Sequence, residues 1–440
     1  MAFIDPIINF MNDIFWGYVL IYGLLGVGIF FTLRLGFIQI RHFPEYFRVI
    51  KGSGSGDKAG ISPLQALTVS LASRVGTGNL AGVAVALTLG GPGAIFWMWM
   101  VALVGMATAY AESTLAQLYK IKNAEGQYRG GPAFYISRGL GLPWLGGLFS
   151  ISLILAFGLI FNAVQANSIA DAVEVAFGFE KIWIGVGLAV LAAIVIFGGI
   201  RSIASVAEIV VPFMAIAYLA VALYVLAVHI TEVPAMLWLI VKSAFGLEEA
   251  AGGFAGGIAA AMLNGVKRGL FSNEAGMGSA PNIAAVATPD PHHPSSQGLV
   301  QGLGVFIDTI IICSITGLVI ITSGLWTGGE SGAALTSLAF ADALPGFGNY
   351  VVAIALAVFA FTTILGWSFY GERCIEYLFG VKAIWPYRVL WIIAIPVGAT
   401  SNLGLIWLIA DTLNAMMAIP NLIALALLSP VVFRLTREHF

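Results

Sequence analysis

Apolar residues run through this chain in windows of about twenty, parted by short polar stretches rich in glycine, proline and charge. A helix rises about 1.5 Å per residue, so roughly 20 apolar residues carry it across the hydrocarbon core of a bilayer. Eleven windows of that kind centre on residues 14–33, 63–89, 93–118, 145–172, 182–199, 204–228, 252–285, 299–323, 349–371, 385–401 and 404–432. They predict an all-α integral membrane protein with about eleven transmembrane helices. GSGSGDKAG at 52–60 reads as a flexible linker, setting the first window apart from the other ten as a peripheral helix. DPHHP at 290–294 reads as a proline-stiffened loop.

The second and seventh windows are longer than a crossing requires, and both are interrupted. The second carries Arg74-Val75-Gly76-Thr77-Gly78-Asn79 at its middle, and the seventh carries GLFSNEAGMGSAP at 269–281. Glycine lowers helix propensity. Backbone at membrane depth leaves the helical form only where protein or a water-filled cavity satisfies its polar groups. The breaks lie about 200 residues, or five windows, apart, so the two halves run in opposite directions through the membrane. Interrupted helices at matching positions of inverted halves point to the binding site of a secondary transporter.

Small residues also serve plain helix packing, and Gly252, Gly253, Gly256 and Gly257 suit that role. The two breaks differ because polar residues accompany their glycines. Gly76-Thr77-Gly78-Asn79-Leu80-Ala81 formally matches the dinucleotide fingerprint, yet apolar membrane sequence flanks it where a strand and a βαβ unit are required. The shared physics survives: glycine amides at a half-helix N-terminus make an anion site, suited here to a carboxylate.

Composition strengthens this picture. Apolar residues make up 59% of the 440 and charged residues 10%, against about 25% charged in soluble proteins. A net charge of −2 leaves no electrostatic footprint for nucleic acid. Arg34, Arg41, Arg48, Lys51 and Lys58 fall in the first loop, and Lys120, Lys122, Arg129 and Arg138 in the third. With Arg201, Arg373, Lys382, Arg388, Arg434 and Arg437, fifteen of twenty basic residues lie on one side. The positive-inside rule then puts the N-terminus outside and the C-terminus in the cytoplasm. The first window has no basic residue before Arg34, so it is expected to stay as a span rather than act as a cleaved secretory signal.

Other chemistries find little support. Cys313 and Cys374 make no disulfide framework and read as free thiols. His292 and His293, adjacent in a proline-bounded loop, read as solvated, with no cluster beside them to complete a metal site. No HExxH or GxSxG motif falls in a window, which argues against an enzyme. The absence of a repeated pore loop argues against a channel.

GGPGAIFWMWMVALVG at 90–105 resembles the signature of the alanine/glycine:cation symporters, the sodium:alanine symporter family. RVGTGNLAG at 74–82 and RGLFSNEAGMGSAP at 268–281 are similar to that family's other hallmark segments, and the likeness runs over nearly the whole chain. The resemblance implies the amino acid–polyamine–organocation superfamily and a leucine-transporter-like fold. That fold is a five-plus-five inverted repeat with two broken helices, here with one extra N-terminal helix. Residues 1–60 would form the peripheral span and linker, 61–232 the first repeat and 233–440 the second. It also implies Na⁺-coupled uptake of L-alanine, glycine or a similar small neutral amino acid by alternating access. The setting would be a cell (inner or plasma) membrane, with Na⁺ as coupling ion and no further cofactor; proton coupling is the alternative.

A small zwitterion inside a membrane needs a partner for each charge. For the carboxylate the amides around Thr77, Gly78 and Asn79 are expected, helped by the Thr77 hydroxyl or the Asn79 side chain. For the ammonium the carbonyls near Phe271, Ser272 and Asn273 are expected. Gln165, on a polar stripe with Asn162, either reaches the ligand or makes a helix–helix hydrogen bond. Trp367 resembles a ligand-contacting position of the family and, with Phe271, would fill the space around a short side chain. It follows Thr363 by four residues and shares its helix face.

The superfamily's common Na⁺ site implies, by position, carbonyls of Ala72, Val75 and Phe359 and hydroxyls of Thr362 and Thr363, with Thr363 open to ion, substrate or both. Charges inside spans are presumptively functional. Asp308, Glu274, Arg74 and Glu112 are therefore candidates for coupling or gating, and Arg74 has three acids to choose from. Lys267 and Arg268 read as gate residues or as solvated in a vestibule, with Glu208 and Asp411 as weaker candidates near the membrane interfaces.

Overall fold

Apolar windows become helices because nothing else satisfies the backbone in lipid. In the computed structural model, which describes residues 5–51, 59–247, 254–401 and 403–440, the windows lie on helices. The long helices are α1 (Ile8–Arg34), α4 (Gly93–Leu118), α5 (Pro143–Phe177), α7 (Gly199–Val228), α11 (Pro294–Ser323), α13 (Gly348–Phe379) and α14 (Val381–Ala399). The chain ends in α15 (Leu403–His439). Among the described residues, eight helices are long and apolar enough to cross a membrane.

The second window is split into α2 (Pro63–Arg74) and α3 (Gly78–Gly90). The seventh is split into α9 (Phe254–Asn273) and the single turn α10 (Pro281–Ala284). The fifth window forms the shorter α6 (Lys181–Ile196). Two twelve-residue helices, α8 (Val233–Ala244) and α12 (Gly332–Ala343), lie between windows, as do shorter helices at Phe43–Lys51 and Pro132–Gly139. Among the described residues the only sheet is a hairpin pairing Ile121–Lys122 with Tyr128–Arg129.

A local signal explains where the first broken helix starts. Ser62 and Gln65 close a capping box with Pro63 at the first helical position, fixing the N-terminus of α2. The far ends of the two broken helices meet at the centre. A side-chain carbon on Gly78 would come within 3.1 Å of Ser272 Cα and 3.2 Å of Phe271, so the two breaks touch there. Helix α4 is the most enclosed span and packs against α1, α9 and α11. Outward positions such as Ile194, Ile209, Phe213 and Ile216 form an apolar belt, as expected for a chain solvated by lipid.

Of the glycines expected to serve helix packing, the structure tests Gly256 and finds it unpacked. Gly252 and Gly253 fall outside the described residues, as do residues 52–58 of the linker. Gly256 faces open space. Instead Gly265 and Gly269, four apart on α9, let that helix close on α4. A Cβ at Gly265 would collide with the Ala94 carbonyl and lie 2.7 Å from Trp97 Cβ, and one at Gly269 would lie 2.7 Å from Val101. Gly265→Val is therefore expected to cost ~1–3 kcal/mol by overpacking, read as a lowered thermal unfolding midpoint in detergent. Gly256→Val should stay within ~0.5 kcal/mol of the parent, and equal effects of the two would refute this assignment.

Candidate functional site

The first break is made by two side-chain amides that intercept the helix ladder. In a continued helix the N–H groups of Gly76 and Thr77 would bond the carbonyls of Ala72 and Ser73. Here Gly76 N–H donates to Asn79 Oδ1 at 2.9 Å, and Thr77 N–H donates to Gln165 Oε1 at 3.2 Å. The carbonyl of Ala72 is thereby released, and Val75 leaves helical geometry with ψ near 90°.

Thr363 of α13 fills the gap so created. Its hydroxyl lies 2.9 Å from the Ala72 carbonyl, 3.3 Å from that of Val75 and 2.9 Å from that of Phe359. One hydroxyl carries one proton and cannot satisfy three acceptors at once. The cluster is all oxygen and electron-rich, the donor set a hard cation takes. Thr362 stands to one side, donating to the Phe359 carbonyl at 2.9 Å with Met214 Sδ at 3.6 Å. Gly76 must be glycine for this approach, since a Cβ there would sit 2.5 Å from Thr363 Oγ1.

The second break is held by carboxylates. Helix α9 ends at Asn273, which frees the carbonyls of its last turn. Glu274 then adopts a left-handed φ of 58°, and Gly276 and Gly278 follow at 82° each. Glu274 accepts from Trp367 Nε1 at 2.6 Å and from Ser279 Oγ at 2.6 Å. Glu112 of α4 accepts from Gly276 N–H at 3.3 Å and from Asn421 Nδ2 at 3.0 Å.

Asp308 joins the breaks. Its carboxylate accepts from Asn79 Nδ2 at 2.7 Å, Ser272 Oγ at 2.8 Å and Thr309 Oγ1 at 2.7 Å. Cys313 Sγ lies 3.3 Å from both Asn79 Nδ2 and Ser272 Oγ. Asn79 thus props the first break with its carbonyl oxygen and grips α11 with its nitrogen. The Thr77 hydroxyl and Asn273 Nδ2 are buried with no hydrogen-bond partner among the described residues. An aromatic wall stands beside them, with ring centroids 5.1 Å apart for Phe161–Phe271, 4.8 Å for Phe157–Trp367 and 6.3 Å for Phe271–Trp367.

The remaining sequence candidates sort by contact. Arg74 is buried and donates from Nη1 to the Gln301 carbonyl at 3.2 Å, close against Gly304. Among the described residues it makes no ion-pair contact with an acid. Glu112, Glu274 and Asp308 are nevertheless all within electrostatic range of it. Lys267 and Arg268 are ion-paired: Asp411 sits 2.5 Å from Lys267 Nζ and 3.5 Å from Arg268, and its carbonyl receives Trp16 of α1. Glu208 accepts from Gln65 at 3.0 Å. Asn162 turns away from Gln165 toward the Trp391 carbonyl.

Thr309, Cys313, Phe157, Phe161, Ser279 and Asn421 escaped the sequence reading. Two π-helical stretches carry four of these six: Ala156–Phe161 holds both phenylalanines and Phe306–Cys313 holds Thr309 and Cys313 beside Asp308, while a third, Gly78–Gly82, holds Asn79. Widened turns of this kind redirect side chains and leave no compositional mark. No group of three or more acidic, histidine or cysteine residues among the described ones is arranged to hold a metal ion.

Comparison with known proteins gives this geometry its context. The chain is 47% identical over 442 residues to the sodium/alanine symporter AgcS of Methanococcus maripaludis, covering 98% of this chain and 96% of that protein. It is 46% identical over 440 residues to the amino-acid carrier protein AlsT of Bacillus subtilis, covering 100% and 92%. Its fold matches the crystal structure of MhsT in complex with L-phenylalanine with a TM-score of 0.61 at 17% identity, over 85% of this chain and 90% of that one. That likeness shows a shared transporter fold, of the leucine-transporter type. The sequence profile of the sodium:alanine symporter family matches residues 1–440, and the chain belongs to that family.

Proposed function

We propose that this protein carries alanine, glycine or a similarly small neutral amino acid inward together with Na⁺, by alternating access. The observation that carries the reading is the oxygen cluster of Ala72, Val75, Phe359 and Thr363, where one hydroxyl faces three carbonyls from two helices. Na⁺ satisfies all four oxygens at once, and Thr362, sharing the Phe359 carbonyl, completes the shell by rotating its χ1. The substrate carboxylate displaces Gln165 Oε1 from the Thr77 amide and engages the Thr77 hydroxyl, with the Gly78 and Asn79 backbone beside it. The ammonium lies at the freed carbonyls near Phe271, Ser272 and Asn273, and Phe271 and Trp367 close on the side chain. In this reading the chain has about eleven spans, with residues 61–232 and 233–440 as inverted repeats behind an N-terminal unit of 1–60. The basic loops and the C-terminus face the cytoplasm, with the N-terminus outside.

A proton-coupled mechanism is the second reading, and one observation favours it: Glu112, Glu274 and Asp308 are fully buried around a single arginine. Uptake of labelled L-alanine into proteoliposomes separates the two. An inward Na⁺ gradient alone should drive accumulation, and a proton gradient in choline buffer should not. Accumulation under the proton gradient alone would move coupling to the carboxylates.

Single changes sharpen the assignment. Thr363→Ala should raise the Na⁺ concentration for half-maximal uptake by tenfold or more, and Thr362→Ala by less; an unchanged Na⁺ requirement in both would place the ion elsewhere. Asn79→Ala lets the Gly76 N–H return to the Ala72 carbonyl and leaves Asp308 short of a donor. Alanine binding by the folded variant should weaken by at least tenfold, which is ~1.4 kcal/mol. Trp367→Ala should admit longer side chains, checked by competition from glycine through leucine; an unchanged selectivity order would remove the aromatic wall from the specificity account.

A further inference from the structure

A second cavity lies far from the broken helices, on the face that carries the basic loops. About 470 Å³ in volume, it is enclosed by the turn between α6 and α7, the hairpin after α4, and the junction of α13 with α14. Four of its lining side chains are basic, Arg201, Arg373, Lys382 and Arg388, against two acids, Glu125 and Glu372. Glu372 is already committed, lying 2.8 Å from Arg373 and accepting twice from Arg388 at 2.8 and 3.0 Å. Arg373 also pairs with Glu376 at 2.6 Å, yet its Nε is buried without a hydrogen-bond partner among the described residues. The cavity is therefore a pocket of net positive charge with a buried donor left over.

Its lip is aromatic and faces outward. Phe197 and Trp385 lie with ring centroids 5.2 Å apart, and Trp385 is 64% exposed. An exposed tryptophan beside basic residues at a helix start is the pattern of a membrane–water interface. Helices α6 and α14 pack side by side above the lip, and Ile194, Leu390 and Ile393 on them are exposed to the surrounding apolar belt. A soluble anion has no use for such a wall. A molecule with a phosphate at one end and acyl chains at the other uses both parts.

We infer that this cavity binds the headgroup of an anionic phospholipid, its phosphate held by Arg201, Lys382, Arg373 and Arg388 and its chains lying along α6 and α14. Basic pockets between helices at the cytoplasmic interface are suited to such lipids. The site is placed to influence transport, because Arg201 and Arg373 also line a smaller pocket against Gly60, Ile61 and Val286, at the basic-face ends of the two broken helices. The inference rests on the membrane orientation argued above and is independent of which amino acid is carried.

The test uses the full chain purified in detergent and its thermal unfolding midpoint. Added phosphatidylglycerol should raise the midpoint, and the rise should shrink at high salt. Phosphatidylcholine and free glycerol 3-phosphate should leave it unchanged. The double variant Arg201→Gln/Lys382→Gln, and separately Trp385→Ala, should lose at least half of the phosphatidylglycerol response while still binding alanine. Native mass spectrometry of the parent chain supplies a readout that needs no variant, with phosphatidylglycerol retained over phosphatidylcholine. An equal response to phosphatidylcholine, a full response to glycerol 3-phosphate alone, or an undiminished response in both variants would overturn the proposal. Loss of alanine uptake with the lipid response intact would overturn it too, and mark the cavity as part of the release route.

Discussion

The diversion of two backbone N–H groups, those of Gly76 and Thr77, onto the side chains of Asn79 and Gln165 is the constraint on which the centre of this protein depends. Without it α2 and α3 would be one helix, and the Ala72 carbonyl would be spent on its own ladder. With it, that carbonyl points at Thr363 across the gap between two helices. The arrangement is stable in a membrane only because every diverted group finds a protein partner, since none is available from lipid. In the binding mode proposed above, a substrate carboxylate would replace Gln165 Oε1 at the Thr77 amide, which leaves the break's hydrogen-bond demand nearly unchanged.

The second break adds carboxylates to side-chain amides, Asn273 Oδ1 accepting the Ala275 N–H at 3.0 Å. Glu274 and Glu112 receive the donors of an irregular segment, and Asn421 ties that segment to the last helix by donating to the Gly276 carbonyl at 2.9 Å. Asp308 then links the two solutions, gripping Asn79 from the first break and Ser272 from the second. A ligand that pulls on Asn79 or Ser272 therefore acts on α11 as well. Arg74 lies among the three acids yet spends its hydrogen bond on a carbonyl, so its positive charge offsets them collectively instead of pairing with one.

What the sequence reveals follows from which constraints are local. Span positions are legible because bilayer thickness imposes a length, and both breaks are legible because glycine beside asparagine and glutamate has no place in a plain crossing. Helices α8 and α12, at twelve residues each, fall below the crossing length, and a hairpin with two-residue strands leaves no periodic pattern. Within the site, the residue types at each break could be named, but not their partners. Asn79 meets Asp308 across 229 positions, and Lys267 meets Asp411 across 144. Phe157 and Phe161 look like ordinary membrane packing until a π-helical stretch turns them toward Trp367. The small-residue face is no more legible: Gly256 and the pair Gly265 and Gly269 look alike in sequence, yet Gly256 faces open space while the pair closes on α4.

The central claim is that one oxygen cluster, opened by the first break, binds the ion that favours substrate binding. Binding linkage is reciprocal, so the most direct measurement is the calorimetric affinity for L-alanine in detergent across a Na⁺ titration at constant ionic strength, in the parent chain and in Thr363→Val. The account predicts that Na⁺ tightens alanine binding by at least tenfold in the parent and leaves it nearly unchanged in the variant. Equal alanine affinity in Na⁺ and in choline, or full Na⁺ dependence in Thr363→Val, would contradict it.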